Sequence, residues 1–137
     1  MTKEKTKSIP AASLKLLAQA LPSITIPVSV ERPDGSKVEV SVTINAVRKS
    51  TWAEMRDGHI ADLRKNPTDE GEFSFAKMVN DGAKEAAELA MKVATDWDLE
   101  EELTAENLVA LEDILPGSIA TLLNNIDSAL FKGRLGN

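Results

Sequence analysis

The stretch that decides the fold is ITIPVSVERPDGSKVEVSVTI, residues 24–44. Apolar and polar side chains alternate on both sides of the segment 32–36, as they do in two half-buried strands. The Pro-Asp-Gly sequence between them is typical of a tight turn, so the pattern predicts a β-hairpin within residues 24–47. Pro27 has no N–H for a ladder, which predicts either an edge strand, open to another chain, or a bulge.

Helical spacing of apolar residues appears on both sides of the hairpin. Residues 10–21 have a short one-faced pattern that Pro22 ends. After the hairpin, Thr51 and Glu54 have the spacing of a capping box, which predicts the start of a helix that continues toward residue 65. A polar loop is expected at residues 66–71.

Three further helices are predicted in the second half of the chain. The longest pattern covers residues 74–95, and its many small residues allow close contact with another helix. Thr104 is a good N-cap for the next helix, and Pro116 with Gly117 ends it before a last amphipathic helix.

Together these patterns predict an α+β fold, predominantly helical, with the N-terminal β-hairpin packed against a bundle of four to five α-helices. Residues 1–9 are polar and Lys-rich, so we expect them to be disordered. Residues 10–137 are expected to form a single domain, with a helix at 10–21, the hairpin at 24–47 and a helical part at 51–132.

Composition excludes several classes of function. The chain has no cysteine, which rules out disulfides and thiolate metal sites and favours a reducing compartment. Its 22 acidic and 16 basic residues give a formal charge of −6, which disfavours binding to nucleic acid. No long apolar stretch predicts a membrane span, and we expect a cytoplasmic protein.

Nothing in the sequence points strongly to catalysis. The single histidine, His59, has no second histidine or serine motif beside it and is interpreted as a solvated helix residue. The acidic run from Asp96 to Glu102 resembles the opening of an EF-hand, but Glu101 stands where that loop needs glycine and Asn107 where it needs glutamate. The alternative interpretation of this acidic run is a solvated linker. We therefore predict no metal-binding residue here, and no catalytic or cofactor-binding residue elsewhere in the chain.

Apolar residues near the end of the long helix and on the last helix are the candidates for partner contact. The first of them, Trp97, lies between two aspartates, a placement that suits an interface anchor. The alternative for each candidate is a place in the protein's own core. The six candidates are Trp97, Leu99, Leu103, Ile119, Leu123 and Ile126.

Residues 97–108, WDLEEELTAENL, carry a family resemblance. This segment, the Leu-Pro-Gly at 115–117 and the basic, Asn-ended terminus KGRLGN at 132–137 resemble the tail assembly chaperones of long-tailed bacteriophages. The likeness is clear over the last third of the chain.

The resemblance implies a non-enzymatic late protein in the host bacterial cytoplasm, absent from the finished virion. Its partners would be the tape measure protein, which it coats, and the tail tube protein, which it recruits. It would act as a homo-oligomer, formed through the hairpin edge or the Ala-rich helix. In this family a frameshift commonly appends a second domain, and residues 135–137 are compatible with a slippery codon sequence, CUG-GGA-AAC.

Two other functions remain open at this point. One is a structural tail component, such as a terminator or connector subunit, which would be retained in the virion. The other is a small hydrolase that uses the acidic cluster and a divalent ion.

Overall fold

The computed structural model describes residues 13–65 and 74–134. In chain order its elements are α1 (Leu14–Gln19), β1 (Ser23–Glu31), β2 (Lys37–Asn45), α2 (Lys49–Lys65), α3 (Phe75–Met91), β3 (Ala94–Trp97), α4 (Ala105–Ile114) and α5 (Ser118–Lys132). The predictions of disorder at 1–9 and of a loop at 66–71 fall outside the described residues.

The predicted hairpin is confirmed. Strands β1 and β2 pair antiparallel with an unbroken register from Ser23 opposite Asn45 to Glu31 opposite Lys37. The turn between them is closed by Asp34, whose Oδ1 accepts hydrogen bonds from the Ser36 backbone N–H at 3.0 Å and from its hydroxyl at 2.6 Å. Gly35 has φ of +90°, a conformation that explains the glycine. The register has no bulge at Pro27, and β1 is an edge strand of the sheet, as the first of the two alternatives predicted.

A third strand lies where the sequence predicted the end of a helix. Helix α3 ends at Met91, not near residue 95, and β3 pairs antiparallel with β2 to give the sheet order β1-β2-β3. Val42 lies opposite Trp97, and the register shifts between Thr43 and Ile44. A four-residue strand has too few residues to show alternation, and its pairing with β2 is a tertiary interaction that the local helical pattern does not report.

Two helix starts also differ from prediction. Helix α2 begins at Lys49, so Thr51 lies inside the helix and the capping-box prediction is wrong. Helix α1 begins at Leu14, because the Ser13 hydroxyl accepts a hydrogen bond from the Leu16 N–H at 3.1 Å. It is therefore shorter than the predicted 10–21 helix.

The predicted starts of the later helices are largely confirmed. Thr104 caps α4 through a 3.0 Å hydrogen bond from the Asn107 N–H. Gly117, with φ of +97°, separates α4 from α5.

The core lies between one face of the sheet and the helices. At the centre of the inward face of β1 and β2, five side chains are at most 2% exposed: Ile26, Val28, Val40, Val42 and Ile44. Helix α5 packs on β1, and α3 packs against α2, α4 and α5. These layers confirm the predicted α+β class. Within the described ranges, no helix is both long and apolar enough to cross a membrane.

Candidate partner-binding surface

Five of the six sequence candidates for partner contact are part of the hydrophobic core. Trp97, Leu103, Ile119, Leu123 and Ile126 are all less than 9% exposed. Leu99 is the exception, with 37% of its surface exposed. For the five buried residues, the alternative interpretation as core residues therefore matches the structure. Direct contact of any of the six with a partner stays a prediction.

Trp97 anchors the acidic segment that follows β3. Its indole N–H donates to the carbonyl oxygen of Glu101 at 2.5 Å. Asp98 extends the pairing with β2, because its N–H donates to Ser41 O at 3.2 Å and its carboxylate accepts the Ser41 N–H at 3.0 Å. These contacts give Trp97 and Asp98 a structural role, because they hold the segment after β3 in place against β2.

The calcium interpretation gains no support from the geometry. Asp98 is oriented toward the β2 backbone, and Glu106 lies in the first turn of α4, where a negative charge favours the helix dipole. In the described parts of the chain, no group of three carboxylate or histidine side chains is arranged to hold a metal ion.

A side chain of α5, Asn125, reaches the middle of the β1 edge. Ser41 directs its N–H and carbonyl toward Asp98, so the opposite residue, Pro27, is a non-hydrogen-bonded pair member whose carbonyl faces outward. That carbonyl accepts a 2.6 Å hydrogen bond from the Asn125 side-chain amide. With no N–H and an occupied carbonyl, Pro27 interrupts the edge at its centre.

The Ala-rich face of α3 is also occupied within the protein. Ala87 and Ala90 are fully buried, in the part of α3 that packs against the other helices. Part of each surface predicted to mediate oligomerisation is thus used inside one chain, and homo-oligomerisation itself stays a prediction.

The first two turns of α3 carry an exposed apolar surface that the sequence analysis did not select. Phe75 is 67% exposed, and Met78 and Val79 are each 51% exposed. These three residues, at i, i+3 and i+4, lie on one face of the helix. We call them the α3 stripe.

The α3 stripe is a continuation of the core-facing side of the helix. At four-residue steps, Phe75 and Val79 lead to the buried Ala87, and Met78 leads to the buried Ala90. The same helical face is therefore core at one end and solvent-exposed at the other. The sequence pattern is the same at both ends of this face, so only the fold shows which end is left exposed.

Other exposed apolar residues lie on α1 and directly after it. Leu14 is 85% exposed, and Leu16, Leu17 and Leu21 are between 42% and 54% exposed. No residue of α1 is buried. A six-residue helix gains little stability by itself in water, so α1 is a second candidate for contact with a partner.

A cleft of about 390 Å³ separates α2 from α3. Met55 and Leu89 form its apolar part, and His59 faces the same space. The Nε2 atom of His59 is buried and makes no hydrogen bond within the described part of the protein. His59 is therefore half-buried, which corrects its interpretation as a solvated residue. Four carboxylates and one lysine complete the lining: Glu54, Asp62, Glu85, Glu88 and Lys92.

Comparison with known proteins identifies one family. A family model described as phage tail assembly chaperone matches residues 11–137, nearly the whole chain. Comparisons with curated proteins and with solved structures gave no match. The family match extends the resemblance seen in the last third of the sequence to the hairpin and the earlier helices. The chain therefore belongs to the phage tail assembly chaperone family.

Proposed function

We propose that this chaperone binds the tape measure protein and recruits tail tube subunits during tail morphogenesis, without catalysing a reaction. It acts in the cytoplasm of the host bacterium, as a homo-oligomer, and leaves before the virion is complete. The observation that supports a binding role most directly is the α3 stripe, because a monomer exposes large neighbouring apolar side chains mainly where another molecule covers them.

The chemistry of the α3 stripe suits a helical partner. Side chains at i, i+3 and i+4 match the spacing by which one amphipathic helix packs against another. Met78 adds a flexible, polarisable side chain that adapts to different partner sequences. Beside the stripe, Lys77 forms a 2.9 Å ion pair with Asp81, which gives the apolar surface a polar margin.

Among the six candidates predicted from sequence, Leu99 is the one we retain as a direct contact. It is exposed, and it follows the anchored Trp97-Asp98 pair, which holds the backbone in place. The five buried candidates support the fold on which these surfaces stand.

Co-expression tests this function against the structural alternative. The gene, with its native downstream DNA and an N-terminal tag, is expressed together with the tape measure gene from the same locus. We expect the tape measure protein to be soluble and to co-purify, with a minor longer product of the tagged gene. Finding the chain in purified virions, and no complex with the tape measure protein, would favour a terminator or connector subunit.

A further inference from the structure

We propose that the chain's own Lys-rich segment, residues 1–12, docks in the cleft between α2 and α3. This contact is separate from the proposed binding of the tape measure protein and does not depend on it. The proposal rests on the lining of the cleft, the charge of the segment, and the position at which the chain enters the fold.

The cleft has the features of a peptide-docking groove. Its apolar part is formed by Met55 and by Leu89, which is 1% exposed. Around it, the carboxylates of Glu54, Asp62 and Glu88 are on exposed residues, so the space combines an apolar base with an acidic margin. The buried Nε2 of His59 lacks a hydrogen-bond partner among the described residues, and buried polar atoms in proteins normally have one. An incoming backbone would supply it.

The charge of the segment is complementary to that margin. Residues 1–12 contain three lysines and one glutamate, whereas the rest of the chain contains 13 basic and 21 acidic residues. Lys3, Lys5 and Lys7 stand at alternate positions, so an extended backbone would place their ammonium groups on one side. Opposite charges on a partly enclosed surface are screened less by salt than fully exposed pairs.

The chain enters the fold close to one end of the cleft. The carbonyl of Pro22 accepts the Ala46 N–H at 2.9 Å, just before α2 begins. The neighbouring Asn45 N–H donates to Val93 O at 2.9 Å, next to Lys92 of the cleft. The residues that follow α1 are therefore adjacent to the start of α2 and the end of α3.

The segment is long enough to occupy the cleft within the same molecule. Along α2 the cleft runs from Thr51 to Asp62, about 16 Å at the rise of a helix. Twelve extended residues span about 40 Å. Because the segment is tethered, its effective concentration at the cleft is on the order of millimolar, which favours contact within one chain over contact between chains.

Paramagnetic relaxation enhancement tests this contact. The chain has no cysteine, so Ser8→Cys provides a single site for a nitroxide label. At low ionic strength we expect loss of amide signal intensity at Glu54, His59 and Glu88, and a shift of the imidazole signals of His59, the single histidine, relative to the charge-reversed chain. Reversing the segment's charge with Lys3→Glu, Lys5→Glu and Lys7→Glu should abolish the signal loss, and this variant is the reference for the His59 shift.

A matched control reverses three charges elsewhere. Arg32→Glu, Lys37→Glu and Lys132→Glu change the net charge by the same amount at exposed positions outside the cleft, and should preserve the signal loss. The proposal is overturned if the cleft amides are unaffected by the label or if the effect survives reversal of the segment lysines. It is also overturned if the effect appears only between chains, in a mixture of labelled and isotope-enriched protein.

Discussion

Trp52 donates its indole N–H to a carboxylate oxygen of Asp127 at 2.8 Å, joining α2 to α5 across 75 residues of sequence. The other oxygen of Asp127 accepts from Arg56 Nη2, also at 2.8 Å. The Arg56 guanidinium carbon lies 6.0 Å from the centre of the Trp52 ring. A fully buried indole is thus held by a carboxylate that is itself paired, which positions the helix that also lines the cleft.

Asp127→Ala should destabilise the protein by about 1–3 kcal/mol, because it leaves the buried Trp52 N–H without an acceptor. Asp127→Asn keeps an acceptor and loses the charge, so its cost should be smaller, within about 1 kcal/mol. Urea unfolding followed by circular dichroism measures both. Asp113→Asn, at an exposed position, is the control. Equal stability of Asp127→Ala and the wild type would contradict the assigned role.

Glu112 provides the N-terminal cap of the following helix. Its carboxylate accepts from the backbone N–H groups of Gly117 at 3.0 Å and Ile119 at 2.9 Å. Gly117 has no side chain to perform this function, so Glu112→Ala should destabilise the protein by about 1–2 kcal/mol. Asp113→Ala should cost much less in the same unfolding experiment. If the two variants lose similar stability, Glu112 is not the cap.

The sequence predicts best the features that local chemistry determines. The hairpin follows from side-chain alternation around Pro-Asp-Gly, and the start of α4 follows from Thr104, whose hydroxyl caps the helix. Strand β3 and the Glu112 cap were missed, because both depend on groups that come together only in the folded chain.

The candidate surface shows the same limit. An apolar helical pattern is the same whether it faces the core or a partner, so Ile126 and Leu123 were as plausible as Phe75 from sequence alone. The fold separates them, because the chain's own elements cover the α5 residues and leave the α3 stripe exposed.

The stability that Asp34 contributes to the hairpin turn should depend on pH. Hydrogen bonds from the Ser36 hydroxyl and backbone N–H lower the pKa of Asp34 below its ordinary value. The folded-state pKa is thus below the unfolded one, so the stabilisation is present above the unfolded pKa and is lost as pH falls through the folded pKa. An NMR titration of the Asp34 carboxyl should show this, and Ser36→Ala should raise its pKa. An unchanged pKa in that variant would remove the hydroxyl as the main cause.

The β1 edge should resist strand addition until two features are removed. Pro27→Val restores an outward N–H, and Asn125→Ala frees the carbonyl of residue 27. We expect the double variant to self-associate with increasing concentration more strongly than either single variant, as measured by size-exclusion chromatography with light scattering. Ser29→Val, on the same strand without a change at Pro27, is the control. A double variant with the wild-type mass at every concentration would show that another feature protects the edge.

The most direct test of the central claim is capture of the tape measure protein by variants of the α3 stripe. Phe75→Ser and Val79→Ser are made together in a chain co-expressed with the tape measure gene, and Ile114→Ser, at a position 78% exposed on α4, is the matched control. Circular dichroism and unfolding midpoints establish that all three proteins are folded. We predict that the double variant loses most of the soluble tape measure protein that the wild type and Ile114→Ser retain. Equal recovery with the folded double variant would contradict the assignment of the α3 stripe as the binding surface.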